Sequence, residues 1–289
     1  MSEFRGPWFE GWYFKHEEQG DTVALIPARH RDTGGRGSAS LQVITREESF
    51  VADYPWEAYG PDRRGPWVRL GESRFSPMGC VLDVEKPGLK LRGELRYGPL
   101  RGLAWDIMGP FCLVPFMECR HSVQSLGHRV EGELWLNGRR HVFGDGRGYL
   151  EGDRGRSFPQ RYLWTQCAWG GARPGCVMVS VATIPWCGME FSGCIASLLL
   201  EGRERRLATY LGAKPLLWGG RGVVLRQGKH LLSVQLLEGE ARPLRAPYRG
   251  NMARTIHESA VCSLRVQYQE AGRRLLDITL DNGSFEYSE

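Results

Sequence analysis

The chain has 289 residues, a formal net charge of +5, 42% hydrophobic residues and a rich aromatic supply of 10 Trp, 10 Tyr and 11 Phe. That length predicts about two domains, and the apolar content is ample for packed cores. The charge comes from arginine: Arg63-Arg64, Arg139-Arg140 and Arg203 to Arg206 each sit beside glycine or acid, as hairpin tips do. No basic block is long enough for nucleic acid, and the charge offers at most a weak contact with an anionic membrane surface. The eight cysteines include no C-x-x-C, which excludes a zinc ribbon or thioredoxin motif. Met1-Ser-Glu-Phe-Arg5 carries no apolar leader, and the longest apolar run, Ile195 to Leu200, is too short to span a bilayer. The expectation is a cytoplasmic protein with reduced thiols.

Trp8 to Phe14 reads as a first strand, rich in β-favouring aromatics, with Trp12 after Gly11 and Glu10 set among rings. Glu10 is either a buried acid or an edge residue facing water. Thr22 to Pro27 and Ser38 to Thr45 follow as strands, and Phe50 to Gly71 reads as a loop. Gly79 to Val84, Leu89 to Tyr97 and Arg101 to Asp106 read as further strands, and Gly109 to Pro115 as an apolar loop. In the run Phe116-Met-Glu-Cys-Arg-His121, an extended backbone puts Met117, Cys119 and His121 on one face. A histidine there serves either as a core residue or in proton transfer. Asn137-Gly138 marks a hairpin turn.

Gly146 to Pro159 is glycine-punctuated and charged, and so reads as a junction rather than the interior of a regular element. Its Tyr149, Glu151 and Asp153 alternate, so an extended backbone would put all three on one face. Two carboxylates that close cannot both ionise cheaply, and one is expected to hold a proton near neutral pH, as a general acid must. The same spacing also suits acids that bond amides or pair with Arg154 and Arg156 at a joint. The predicted domains are 1–145 and 146–289, the second opening on this run.

Tyr162 to Trp169 looks like a second opening strand, and Cys176 to Ile184, Glu190 to Leu200, Arg205 to Leu211, Gly222 to Arg226 and Leu231 to Leu237 continue an antiparallel meander. Glu201-Gly202 echoes the Asn137-Gly138 turn. Asn251 to Val261 fits a short helix or a strand; either places Arg254 beside Glu258, a pairing that makes Glu258 a poor proton donor. Leu264 to Tyr268 and Leu275 to Leu280 form a last hairpin. There is no G-x-G-x-x-G, Walker motif or G-x-S-x-G, and the histidines are scattered, so neither a metal nor a cofactor is expected.

Several ordered segments resemble the tocopherol cyclase family: Phe9 to Lys15, Pro115 to His121, Ile184 to Trp186, Ala208 to Lys214, Gly250 to Ser259 and, most specifically, Gly148-Tyr-Leu-Glu-Gly-Asp-Arg-Gly-Arg-Ser-Phe-Pro159. The family motif has an aromatic where Arg154 stands here. The resemblance implies an all-β fold of two tandem lipocalin-like antiparallel β-barrels. It also implies a hydrophobic small-molecule partner: acid-catalysed cyclisation of a prenylated quinol, or the neighbouring hydration of an isoprenoid. On that reading Asp153 or Glu151 is the acid, with His121 and Glu10 as further proton-transfer candidates. Tyr149, Trp164, Trp12, Phe116, Met117, Arg254 and Glu258 would contact substrate. A non-catalytic carrier of an apolar ligand is the alternative.

Overall fold

A computed structural model describes residues 6–61, 67–114, 117–171, 173–186 and 189–289. The chain forms two compact units, one of Met1–Ala104, Phe116–Phe158 and Leu244–Thr255, the other of Trp105–Pro115, Pro159–Pro243 and Ile256–Glu289. The expected all-β class holds: long strands build two antiparallel sheets, and the only helices among the described residues are short 3-10 turns.

The first sheet contains β1 (Trp8–Glu18), β2 (Asp21–Arg31), β3 (Gly37–Thr45), β4 (Ser49–Pro55), β5 (Tyr59–Pro61), β6 (Val68–Leu70), β7 (Ser73–Ser76), β8 (Gly79–Lys86), β9 (Leu89–Tyr97), β10 (Cys119–Leu136) and β11 (Arg139–Gly155). Its order is β4-β3-β2-β1-β11-β10-β9-β8-β7-β6-β5. The second contains β12 (Tyr162–Trp169), β13 (Gly175–Trp186), β14 (Met189–Leu200), β15 (Arg203–Ala208), β16 (Lys214–Gly219), β17 (Gly222–Gln227), β18 (His230–Gly239), β19 (Arg242–Tyr248), β20 (Asn251–Glu270) and β21 (Arg273–Ser288). Its order is β15-β14-β13-β12-β21-β20-β18-β17-β16, with β19 beside β20.

The two orders are the same design: the first strand of each sheet pairs with the last, and the last with its hairpin partner. Neither sheet closes into the barrel expected from sequence. Among the described residues no ladder joins the end strands β4 and β5, or β15 and β16. A 3-10 turn lies at each seam, Trp56–Ala58 between β4 and β5 and Thr209–Leu211 between β15 and β16. Pro55 ends β4, and Pro215 lies at a register shift in β16. Proline has no N–H to give a ladder, and each of these two lies on an end strand of its sheet.

Alternation decides which side chains enter each core. In the first unit Phe14, Val23, Leu25 and Leu150 are buried together; in the second, Leu163, Val179, Leu264 and Phe285 are. The Asn137-Gly138 turn has φ of 49° and 88°, and Glu201-Gly202 has 54° and 74°, the left-handed pair that two-residue hairpins need.

Four local expectations are corrected. Arg101 to Asp106 forms no strand, and Gly109–Leu113 is a 3-10 turn rather than an open loop. The Phe50 to Gly71 region holds parts of β4, β5 and β6; Asn251 to Val261, open between helix and strand, takes the strand. Gly146 to Gly155 is the end of β11 rather than a junction. Its glycines have a packing reason: a Cβ at Gly148 would lie 2.2 Å from His128 Nε2, and one at Gly152 would lie 2.4 Å from the Trp12 indole. The strand is glycine-rich because rings lie flat against it.

Candidate active site

The alternation that puts Leu150 in the core turns Tyr149, Glu151 and Asp153 to the other face of β11. Register then supplies their neighbours. On β10, His121 stands opposite Asp153 and Val123 opposite Glu151; on β1, Gly11, Tyr13 and Lys15 stand opposite Asp153, Glu151 and Tyr149. This face lies away from the unit's apolar core, yet Tyr149, Glu151, Tyr13 and Lys15 are all buried.

His121 sits between the two acids. Its Nδ1 is 3.0 Å from Asp153 Oδ1 and its Nε2 is 3.3 Å from Glu151 Oε2, the second contact an ion pair without good hydrogen-bond alignment. The Tyr149 hydroxyl donates to the same Glu151 oxygen. The Cys119 thiol donates to Asp153 Oδ1 at 3.6 Å, and burial holds that thiol well above its usual range, so it stays a donor. Burial by itself would lower His121, but the paired carboxylates outweigh it and raise the imidazole well above 6.5. The centre is therefore an imidazolium bridging two carboxylates, and the repulsion expected between those acids is offset by the ring between them. Asp153 is the most accessible member, with its side chain 22% exposed against 7% for Glu151.

The ligand atoms of His121, Glu151 and Asp153 lie within 4.8 Å of one another, a donor set that could hold a divalent cation. Both ring nitrogens already face a carboxylate, so an ion could take only one of them, and a carboxylate would have to move from its present partner. A network for holding and moving protons is the better fit.

Of the residues singled out from sequence, Tyr149, Glu151, Asp153 and His121 come together. Trp12 and Glu10 lie on the opposite face of β1, where Trp12 packs on Gly152 and Glu10 pairs with Arg29. Met117 precedes β10 and is half-buried, and Phe116 lies outside the described residues. Arg254 groups with the first unit; Trp164 and Glu258 belong to the second. There Trp164 stands opposite Glu286, which stands opposite the buried Glu258 and accepts the Tyr162 hydroxyl. Sequence reasoning put Cys119 on the face of His121 but missed Tyr13 and Lys15 as members of it. The spacing of two residues was enough for Cys119; the β1 residues needed the register.

Three solved structures share the fold over nearly the whole chain. Kievitone hydratase from Nectria haematococca has a TM-score of 0.54 at 10% identity, covering 98% of this chain and 89% of that one. CghA has 0.57 at 13% identity, covering 98% and 88%. An AttH-like protein from Nitrosomonas europaea has 0.53 at 13% identity, covering 99% and 93%. No protein-family model matches the chain and no curated protein matches it in sequence, so the tocopherol cyclase resemblance rests on its motifs alone. No helix among the described residues is long and apolar enough to cross a membrane.

Proposed function

We propose that the protein catalyses acid-promoted addition of an O–H group across a carbon–carbon double bond of an apolar, prenylated substrate. The observation that carries this reading is His121 held between Glu151 and Asp153 on a buried face. The proton that His121 holds at Nδ1 passes to Asp153, the most accessible of the three, and from there to one alkene carbon: the Nδ1–H bond breaks, and the Asp153 O–H bond that replaces it breaks in turn as a C–H bond forms. The cation left on the more substituted carbon is captured by oxygen, forming the C–O bond, and that oxygen's proton returns to the Asp153 carboxylate. His121, bonded to Asp153 through Nδ1, supplies that proton and takes it back from Asp153 at the end of the step. Glu151 and Tyr149 hold the ring in place.

If the oxygen belongs to the substrate, the product is a ring, as the motif resemblance to tocopherol cyclases suggests. If it belongs to water, the product is an alcohol, and the shared fold with a hydratase supports that branch. Incubating the protein with a panel of prenylated quinols and isoprenoids, read by mass spectrometry, tests the reading. Cyclisation leaves the mass unchanged while the alkene is lost; hydration adds one water. Saturable binding of the panel with no turnover would leave a carrier of apolar ligands, and neither outcome would make the acids structural.

A further inference from the structure

A second polar cluster lies on the core side of the first sheet, on the other face of β1 from His121. Arg29 on β2 stands opposite Glu10 on β1 and reaches its Oε2 through two nitrogens at 3.1 and 3.0 Å. The Arg29 guanidinium also lies 4.9, 5.4 and 5.1 Å from the ring centroids of Trp8, Trp56 and Tyr59. Arg31, two residues on and so on the same face, stacks 5.1 Å from Trp56. Trp8 and Trp56 meet edge to face at 5.8 Å. Trp56 can lie here because Gly37, opposite Arg31 on β3, has no Cβ; one would come within 2.5 Å of the indole.

Two groups in this cluster have no partner. Arg31 Nε and the Tyr59 hydroxyl are buried without a hydrogen bond, although Tyr59 is only 5% exposed. Buried polar groups are almost always satisfied, so two orphans around one indole call for a reason. Arg31 Nε can only donate and the Tyr59 hydroxyl can donate, so each calls for an acceptor. Among the described residues the Glu10 carboxylate pairs with Arg29 and no carboxylate pairs with Arg31, which leaves one positive charge over. What is missing is therefore a monoanion with two oxygens, and the walls beside it are the rings of Trp8 and Trp56, which suit a flat apolar body.

We infer that Arg29, Arg31, Trp8, Trp56 and Tyr59 form a binding site for an aromatic carboxylate, its oxygens on Arg31 Nε and the Tyr59 hydroxyl and its ring against the indoles. The site is independent of the chemistry proposed for His121, since it uses the other face of β1.

The test is titration of the whole protein with benzoate and, separately, with inorganic phosphate, followed by tryptophan fluorescence and thermal melting. The expected result is a saturable fluorescence change and a raised melting temperature with benzoate, and neither with phosphate. Arg31→Met should weaken benzoate binding at least tenfold and Tyr59→Phe about fivefold, whereas Asp153→Asn leaves it unchanged. Because the Tyr59 hydroxyl has no partner in the free protein, Tyr59→Phe should not lower the melting temperature without ligand, which separates loss of binding from loss of fold. No saturable response to benzoate, phosphate binding as well as benzoate, or full binding by both variants would overturn the assignment.

Discussion

The two units share a three-strand centre and differ in what it carries. In each, the first strand pairs with the last and the last with the strand before it: β1, β11 and β10 in one, β12, β21 and β20 in the other. Each buries polar side chains on the face turned from its own apolar core. Matched through the acid that stands opposite an aromatic of the first strand, Glu151 opposite Tyr13 corresponds to Glu286 opposite Trp164. Where the first unit then has Asp153 and His121, the second has Ser288 and Ile256. The first unit thus has an imidazolium between two acids; the second has Glu258 opposite Glu286 with the Tyr162 hydroxyl as donor. A buried acid held by a phenol is a stable structural element in either unit. Only the added histidine and second carboxylate make a set that can both store a proton and pass it on.

The sharpest way to break this comparison is to neutralise one acid in each unit. Asp153→Asn is expected to lower turnover about 10²–10⁴-fold, the usual worth of a positioned acid, with the fold intact by circular dichroism. Glu286→Gln should lower the melting temperature and reduce turnover by less than about tenfold. Equal losses of turnover would erase the distinction between the units.

Backbone contacts sharpen it next. Gly148→Ala puts a methyl 2.2 Å from His128 Nε2, on a ring already fixed by its 3.0 Å bond to Ser125, and should cost about 1–3 kcal/mol in denaturant unfolding. Gly283→Ala in the second unit puts a methyl 2.3 Å from Cδ1 and 2.5 Å from Cγ of Leu264, which is buried in that unit's core, and should likewise cost about 1–3 kcal/mol. Tyr149→Phe removes a donor from the buried Glu151 and should cost about 1–3 kcal/mol, with slower turnover.

The effects of pH run in opposite directions. His121 is raised by its carboxylates, so its stabilisation is full below pH 6.5 and is lost as pH rises through the raised folded-state value. His16 and His128 are lowered to about 3 and about 4, chiefly by burial. They stay neutral in the folded protein while the unfolded chain takes up protons, so stability falls as pH drops below 6.5, by roughly 1 kcal/mol per unit for each. A melting series from pH 7 to pH 4 should show that fall, and His128→Asn should flatten it.

Much of the fold was legible because alternation and turn chemistry are local. Asn137-Gly138 located the hairpin at the end of β10, and Tyr162 to Trp169 was readable as a counterpart of the opening strand. The triplet Tyr149, Glu151, Asp153 was readable as one face from its spacing. What could not be read was which neighbours the register would bring. His121 stands opposite Asp153 because of pairing across more than 30 residues, with register shifts further along β10. The glycines misled in the other direction: 148 and 152 signalled a break in structure, when they make room for His128 and Trp12. Closure failed for a similar reason, since whether end strands meet depends on the geometry of two 3-10 turns rather than on strand pattern.

The most direct test of the central claim is turnover of a prenylated quinol in D₂O, with the product read for deuterium on carbon. Proton delivery from Asp153 predicts one carbon-bound deuterium per product molecule, formed by the native protein and absent with Asp153→Asn. Product formed by the native protein without carbon-bound deuterium, or labelled equally fast by the variant, would contradict it.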